Sequence, residues 1–313
     1  MRRPTCLLLA CLALALLPTG CGGPSRTPFQ PAGVRIIRDY TFASRDGVPL
    51  RLDLYLPETY AKPLPIVIWL HGGGWMFGSK ERCPLASLAA RGYAVASVGY
   101  GLSDRSERTA FPAPLYDCKA AVRWLRANAW RFGCDGGRIG VWGLSAGAHL
   151  AALLGTTAGE ADLEGGEGPI GPSSAVQGVV AMFAPTDLLA LEQADEKNWR
   201  VTLVAQGLLH GRPSEHPDLA RAASPALHVT RDSAPFLLIH GRDDIMVPVA
   251  QSGLMHAALQ AAGVPSTLLL FDHLPHGDSA LDNPEVQAAA IAFLAARLQP
   301  EGVGEAVGVP AKP

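Results

Sequence analysis

The chain has 313 residues, of which 48 % are hydrophobic and 17 % are charged. This length allows one large domain or two small ones, and the apolar content is sufficient for a substantial core. The formal net charge of −2 and the lack of a basic stripe give no electrostatic basis for binding nucleic acid. Many glycines and prolines with few charges predict a compact, loop-rich protein and argue against disorder or a coiled coil.

The first residues have the layout of a secretory signal peptide. Two arginines precede an apolar stretch from Leu7 to Leu17, which is too short to span a membrane, and small residues follow it. Cys21 resembles the lipid-attachment cysteine of bacterial lipoproteins, although Pro18 stands where that motif usually has Leu. We therefore expect export, with residues 1–21 as the signal and lipidated Cys21 as the membrane attachment. An ordinary cleaved signal with an incidental cysteine, giving a secreted protein, is the alternative.

Strand and helix signals alternate along the rest of the chain. Residues 22–33 predict a flexible tether, and residues 299–313 predict a disordered tail. Alternation of apolar and polar residues in "VRIIRDYTF" and "LRLDLYLP" predicts half-exposed antiparallel edge strands. Six continuous apolar runs predict buried strands, and helical periodicity fills the gaps between them. The runs are 64–70, 93–100, 138–143, 176–184, 235–241 and 266–272, and the predicted helices are 84–91, 114–131, 146–154, 250–262 and 284–298.

This alternation predicts an α/β domain over residues 34–298, with a mostly parallel eight-stranded sheet and helices on both faces. Two connections are longer than the others. Residues 156–175 predict a surface loop, and residues 185–233 contain helical fragments after the C-terminal end of a strand. That is where a cap over an active site would grow.

Cys83, Cys118 and Cys134 remain once the predicted signal and Cys21 are set aside, so at most one disulfide can form. Cys118 and Cys134 are expected near opposite ends of one helix. They would then lie about 20 Å apart, too far to bond. The cysteine and histidine spacings match no disulfide framework and no zinc site.

Ser145 lies between Gly143 and Gly147 where a buried strand passes into an alanine-rich helix. A sharp turn at this seam requires glycines on either side, because a Cβ would clash with the neighbouring backbone. The turn raises the serine side chain above the sheet and places it at a helix N-terminus. A lone GxSxG is a weak signal, and the flanking strand and helix strengthen it.

Three successive glycines follow the strand at 64–70 in "WLHGGGWMFGSK". Such a run costs conformational entropy and is expected where backbone N–H groups approach a ligand closely. We assign the N–H groups of Gly73, Gly74 and Ala146 as donors to a developing oxyanion beside Ser145. A merely tight turn is the alternative.

These segments resemble α/β-hydrolases of the hormone-sensitive-lipase-like and small feruloyl or acetyl-xylan esterase branch. The matching segments are HGGGW with GSK after it, FPAPLYDCKAAVRWLRAN, RIGVWGLSAGAHLAALLG, HGRDDIMVPVAQS and HG at 276–277. The resemblance covers residues 35 to 298, which is nearly the whole domain. It implies a serine carboxylesterase acting on short acyl esters, such as acetyl or feruloyl esters of polysaccharides, without a cofactor.

The resemblance also implies an acid after the seventh strand and a histidine after the eighth. It selects Asp244 over the neighbouring Asp243, and His276 over His273. His276 would accept the Ser145 proton, and Asp244 would hold the imidazole in the required tautomer. A metal site on the two histidines is a poor alternative because no third ligand is evident.

The substrate pocket is predicted to be lined by Trp75, Met76, Phe77 and Leu144. An aromatic residue beside the glycines could instead belong to the core.

Other polar residues have structural interpretations. We expect His149 to pack under the serine turn, His71 to brace the glycine loop, His240 to be a hydrogen-bonded core histidine and Asp117 to anchor the oxyanion loop.

The sequence departs from the family pattern at two places. Relatives often carry Asp-Tyr-Arg-Leu after the fourth strand, where this chain has Gly99, Tyr100, Gly101 and Leu102, and many have Gly in place of Ala148. We expect the missing charges to loosen the loop that supports the oxyanion hole.

Two other functions remain open. The same catalytic groups cleave amides, so an amidase or peptidase is one alternative, and a non-catalytic binding lipoprotein is the second. Gly74 favours esters, because formamidase-type relatives carry a different residue there.

Overall fold

The computed structural model describes residues 31–61, 63–104, 106, 108–194 and 207–298. The predicted signal peptide, Cys21, nearly all of the predicted tether and the C-terminal tail lie outside the described residues. Part of the predicted cap, residues 195–206, also lies outside them.

Eight strands form one sheet in the order β1-β2-β4-β3-β5-β6-β7-β8. Strand β2 pairs antiparallel with both β1 and β4, and every other neighbouring pair is parallel. The predicted mostly parallel eight-stranded sheet is therefore confirmed. The strands are β1 Val34–Arg45, β2 Val48–Pro57, β3 Leu64–Leu70, β4 Ala94–Gly99, β5 Cys134–Leu144, β6 Gly178–Met182, β7 Phe236–Gly241 and β8 Ser266–Phe271.

Strand β2 departs from the predicted half-exposed pattern, because its residues from Leu52 to Pro57 are all buried. Only β1 lies at this edge of the sheet, and β2 runs between β1 and β4 with apolar residues against both faces. Leu54 belongs to the core on one face and Tyr55 to the core on the other. Asp53 is also fully buried in this strand, so it needs a polar partner.

Helices cover both faces of the sheet, as predicted for a parallel α/β fold. Helices α1, α2 and α6 contribute to one apolar core, and α7 contributes to the second core on the opposite face. The predicted cap residues form α4 and α5, and the predicted loop 156–175 contains the short α3. The helices are α1 Ala113–Asn128, α2 Ala146–Thr156, α3 Ala161–Glu164, α4 Leu188–Ala194, α5 Pro217–Ala222, α6 Ala250–Ala261 and α7 Pro284–Leu298.

The expected position of Cys134 on a helix is wrong. A 3-10 turn over Ala129–Phe132 follows α1, Gly133 takes a left-handed conformation, and Cys134 opens β5. Glycine permits the positive φ of 67° that reverses the chain there. Cys118, Cys134 and Cys83 are free thiols.

Within the described ranges, no helix is both long enough and apolar enough to span a bilayer.

Candidate active site

Ser145 occupies a strained turn between the end of β5 and the start of α2. Its φ and ψ are 54° and −118°, a conformation that a non-glycine residue adopts only where the surrounding structure enforces it. The enforcement comes from close backbone packing. A Cβ on Gly143 would lie 2.2 Å from the Gly147 carbonyl oxygen, and a Cβ on Gly147 would lie 2.1 Å from the Leu70 carbonyl oxygen. Gly143 therefore allows the turn to close on itself, and Gly147 allows it to pack directly on the end of β3.

Ser145, His276 and Asp244 form a continuous hydrogen-bond series. The Ser145 Oγ lies 2.9 Å from Nε2 of His276, and Nδ1 of the same ring lies 2.7 Å from Oδ2 of Asp244. An ionised carboxylate can only accept, so Nδ1 carries the ring proton and Nε2 is left to accept from the serine hydroxyl. The geometry is that of a nucleophile, a general base and an orienting acid.

The Asp244 carboxylate is buried, and every oxygen has a donor. Oδ1 accepts from the N–H groups of Met246 (2.8 Å) and Val247 (3.0 Å), and Oδ2 accepts from His276 and from Nε2 of His240 (3.2 Å). Burial alone would raise the pKa of Asp244. The hydrogen bonds from His240 and His276 outweigh it and hold that pKa well below its ordinary value.

Asp243 and His273 lie apart from this series. Both side chains are mostly exposed, and they pair with each other at 3.1 Å. Asp243 and His273, the alternative choices for the acid and the base, therefore lie at the surface, while Asp244 and His276 face Ser145. Among the described residues, no group of three His, Cys, Asp or Glu side chains could hold a metal ion.

The glycine loop after β3 lies directly against the serine turn. A Cβ built on Gly72 would be 3.5 Å from the Ser145 Cβ, so the loop begins in contact with the nucleophile. Gly73 and Gly74 have φ of 122° and 59°, which favour glycine. The Gly73 carbonyl accepts from the N–H groups of Met76 and Phe77, which closes the loop into a tight turn. Ala146 is the first residue of α2, where helical N–H groups lack intrahelical acceptors.

The structure contradicts the predicted pocket role of Trp75 and Leu144. Trp75 is fully buried, and its indole Nε1–H donates to Nδ1 of His149 at 3.2 Å. His149 in turn donates from Nε2 to the Ala223 carbonyl at 2.7 Å, so the indole attaches the glycine loop to α2 and to the predicted cap region. Leu144 ends β5 and packs in the core on the α7 face. Both side chains are buried because they pack against other apolar residues. Trp75 also has a buried acceptor for its indole N–H.

Met76 and Phe77 remain candidate pocket residues. Phe77 is 69 % exposed beside the glycine loop, which is unusual for a large aromatic side chain. Met76 is half-buried. Its sulfur packs closely against Gly207 of the predicted cap, because a Cβ added to Gly207 would lie only 2.9 Å from it.

His71 and Tyr100 hold the glycine loop in place through hydrogen bonds and ring stacking. The His71 Nδ1–H donates to the Gly72 carbonyl at 2.8 Å, and the Tyr100 hydroxyl donates to the His71 carbonyl at 2.7 Å. The two rings stack with centroids 4.4 Å apart. Burial lowers the pKa of His71, which favours the neutral ring that this arrangement uses.

Sequence reasoning missed two supporting residues, Phe183 and Lys80, and the contact that His240 makes with Asp244. His240 is a hydrogen-bonded core histidine, as expected. The Ser252 hydroxyl donates to its Nδ1, and its Nε2–H lies within hydrogen-bond distance of both the Val247 carbonyl and Asp244 Oδ2. Phe183 packs its buried ring 5.1 Å from the His276 ring. Lys80 ends the glycine loop in an ion pair with buried Asp53 at 2.8 Å. Only Lys80 had a signal in the sequence, the GSK of the matching segment.

A serine, an imidazole and a buried carboxylate joined in series at the C-terminal edge of this sheet define an α/β-hydrolase with a serine-hydrolase site. The BD-FAE family model matches residues 52–259, more than half of the chain. The chain therefore belongs to the BD-FAE family of α/β-hydrolase esterases.

Known proteins support the same class. Esterase LipC of Mycobacterium tuberculosis is 33 % identical over 281 residues, which cover 86 % of this chain and 68 % of LipC. A truncated carbohydrate esterase from gut microbiota has a TM-score of 0.73 at 28 % identity, covering 83 % of this chain and 95 % of that one. Est2, an esterase of the planctomycete Thermogutta terrifontis with propionate bound, has a TM-score of 0.69 at 25 % identity, covering 87 % and 97 %. These likenesses confirm the predicted fold and the ester-hydrolase class.

Proposed function

We propose that this chain is a serine carboxylesterase that cleaves short-chain acyl esters through an acyl-enzyme intermediate. The observation that carries the proposal is that the two ring nitrogens of His276 make hydrogen bonds to two different side chains. Nε2 of His276 lies 2.9 Å from the Ser145 hydroxyl, and Nδ1 lies 2.7 Å from a buried carboxylate. This arrangement serves proton transfer to and from a serine nucleophile.

Acylation begins when Ser145 Oγ attacks the ester carbonyl carbon and gives its proton to His276. The negative charge that develops on the carbonyl oxygen is stabilised by hydrogen bonds that the N–H groups of Gly73, Gly74 and Ala146 donate. Asp244 stabilises the imidazolium and keeps its ring in place. The imidazolium then protonates the leaving alcohol, and the acyl group stays on Ser145.

Deacylation repeats these steps with water. His276 accepts a proton from the water, the hydroxide attacks the acyl carbon, and the same N–H groups donate hydrogen bonds to the oxyanion. The proton returns to Ser145 Oγ as the carboxylic acid leaves. Every proton in these proposed steps is carried by His276, so the steps themselves require no metal or organic cofactor.

Acetyl or feruloyl esters of polysaccharides are the proposed substrates. The name of one structural neighbour, a carbohydrate esterase, supports a saccharide ester, and the bound propionate of the other supports a short acyl group. The exposed Phe77 ring beside the glycine loop also supports it, because an aromatic face can pack against a sugar ring or an aryl acyl group.

A chain-length series of p-nitrophenyl esters, with matching p-nitroanilides, tests the reaction. We expect kcat/KM to be highest for acetate to butyrate and about tenfold or more lower for laurate, since a short acyl pocket rejects added methylenes. Anilides should turn over far more slowly than esters. Anilide turnover equal to ester turnover would favour the amidase alternative, and folded protein without any turnover would favour a binding protein. Release of acetate or ferulate from acylated xylan then identifies the natural acyl group.

We also propose that the chain is exported and attached to the membrane through lipid on Cys21. The proposal is supported by the signal-like layout that precedes this cysteine. Full-length protein expressed in a bacterium should partition into the detergent phase of a Triton X-114 extraction, and Cys21→Ser should move it to the aqueous phase. Equal partitioning of the two proteins would contradict the attachment.

A further inference from the structure

The guanidinium of Arg45 occupies the space beside Gly101, where the family pattern carries an arginine. Arg45 ends β1, and its Nη2 lies 2.1 Å from where a Cβ on Gly101 would be. A side chain at position 101 and the present position of Arg45 therefore exclude each other. The positive charge that the fourth-strand segment lacks is supplied by a residue from a different strand.

Asp117 joins this guanidinium to the backbone after β4. Its carboxylate is fully buried in α1, where Oδ1 accepts from Arg45 Nη1 at 2.8 Å and Oδ2 accepts from the Gly101 N–H at 2.7 Å. Arg45 Nη1 also donates to the Ala113 carbonyl at 2.9 Å. Burial raises the pKa of Asp117 to about 7, against the lowering effects of Arg45 and the Gly101 N–H. Without Arg45, the carboxylate would lose its only close cation among the described residues.

The segment held in this way supports the glycine loop. Gly101 follows Tyr100, whose hydroxyl donates to the His71 carbonyl and whose ring stacks on the His71 imidazole. His71 directly precedes Gly72, which is in contact with the serine turn. One line of contacts therefore runs from Arg45 through Asp117, Gly101, Tyr100 and His71 to the proposed oxyanion donors.

We propose that Arg45 is a positioning residue for the esterase reaction, acting through Asp117 and Tyr100 to hold the loop that carries the Gly73 and Gly74 donors. This inference rests on the proposed function, because it concerns the oxyanion hole of that site. The loosening expected from the missing charges at positions 99 and 101 is therefore offset from outside the segment.

At position 99, as at position 101, a charged side chain from elsewhere in the chain lies beside a glycine. A Cβ on Gly99 would lie 3.5 Å from Cδ of Lys80, so an acidic side chain there would face this lysine. The Lys80 ammonium instead contacts Asp53 of β2 and Asp39 of β1, each at 2.8 Å. Strands β1 and β2 thus provide the charged side chains near positions 99 and 101, namely Asp39, Arg45 and Asp53.

Four variants test the role of Arg45. Arg45→Ala removes the guanidinium, and Gly101→Ala inserts a methyl group that must displace it. The double variant combines the two changes. Arg138→Ala is the matched control. Like Arg45, Arg138 pairs with an aspartate and donates to backbone carbonyls, but it lies near the start of β5, at the edge of the sheet opposite the site.

The kinetic readout separates positioning from general stability. Arg45→Ala should lower kcat for p-nitrophenyl acetate about 10- to 100-fold with KM nearly unchanged, because a displaced oxyanion donor weakens transition-state binding. Gly101→Ala should have a similar effect, because its methyl group would lie 2.1 Å from Arg45 Nη2 and 2.9 Å from Asp117 Oδ2. The two effects should not multiply in the double variant, because both changes break the same set of contacts among Arg45, Asp117 and Gly101. Arg138→Ala should lower Tm and leave kcat unchanged.

Hydrogen exchange of the peptide covering residues 69–80 supplies a readout that does not need activity. Arg45→Ala should speed exchange in this peptide about tenfold or more, and Arg138→Ala should not. A wild-type kcat in Arg45→Ala, unchanged exchange in this peptide, or multiplying effects in the double variant would overturn the role of Arg45. A wild-type protein inert towards all esters would overturn the proposed function alone, since the exchange result would still test the contacts of Arg45.

Discussion

Replacing Gly147 with alanine should separate the nucleophile turn from the loop that carries the proposed oxyanion donors. A Cβ at this position would lie 2.1 Å from the Leu70 carbonyl oxygen and 2.5 Å from that of His71, where ordinary contact begins near 3.4 Å. Both oxygens belong to backbone, so no flexible side chain can move aside. The two segments must therefore move apart by about 1.3 Å, the shortfall from ordinary contact.

Stability and rate should both fall. Overpacking of this size costs about 1–3 kcal/mol, which lowers Tm by about 2–10 °C in a domain of this size. A displacement of about 1 Å between a nucleophile and its oxyanion donors lowers kcat by about 10²-fold. The assay is p-nitrophenyl acetate hydrolysis at a temperature well below the Tm of the variant, with Tm measured in parallel.

Gly253→Ala is the matched control. Gly253 lies within α6, and a Cβ there would meet nothing within 4 Å. Alanine in a helix interior should stabilise the protein by about 0.5–1 kcal/mol and leave kcat unchanged. The close-packing argument would be refuted if Gly147→Ala kept the kcat and Tm of the wild type.

Three further outcomes are expected. Asp244→Asn should lower kcat by about 10³–10⁴-fold with little change in Tm, since the amide can donate to His276 and so favour the wrong tautomer; a kcat within tenfold of wild type would contradict the assigned acid. His149→Gln should remove a pH-dependent loss of stability. Burial lowers the pKa of His149 to about 4, so the unfolded state binds more protons between pH 4 and 6.5 and stability falls as the pH falls through that window. Urea unfolding should show this contribution as about 2 kcal/mol at pH 5 in the wild type, and an equal acid loss in the variant would exclude it. Phe77→Ala should raise KM for aryl and sugar esters without changing Tm, because the ring is 69 % exposed, and an unchanged KM would remove Phe77 from the pocket.

The fold and the nucleophile Ser145 could be predicted from sequence because their signals are local. Buried strands appear as continuous apolar runs, and the glycines around Ser145 mark a turn that only they allow. Asp244 and His276 follow only from the resemblance to α/β-hydrolases, which implies an acid after the seventh strand and a histidine after the eighth, and the structure brings both to Ser145.

The residues that sequence reasoning misplaced depend on contacts between distant segments. Trp75 was expected at the pocket, but its indole finds a buried acceptor in His149, 74 positions further along the chain. No local pattern distinguishes a tryptophan that faces the substrate from one that faces inward. The pairing of Arg45 with Asp117, which the sequence did not predict, likewise joins residues 72 positions apart and follows from the packing of β1 beside α1.

Intact-protein mass spectrometry during p-nitrophenyl acetate turnover tests the central claim most directly. Rapid quenching should trap one acetyl group per molecule, and peptide mapping should place it on Ser145. The adduct should be absent in Ser145→Ala, together with the turnover. Undiminished hydrolysis by Ser145→Ala, or an acetyl group carried by another residue during turnover, would contradict the proposed nucleophile and the mechanism built on it.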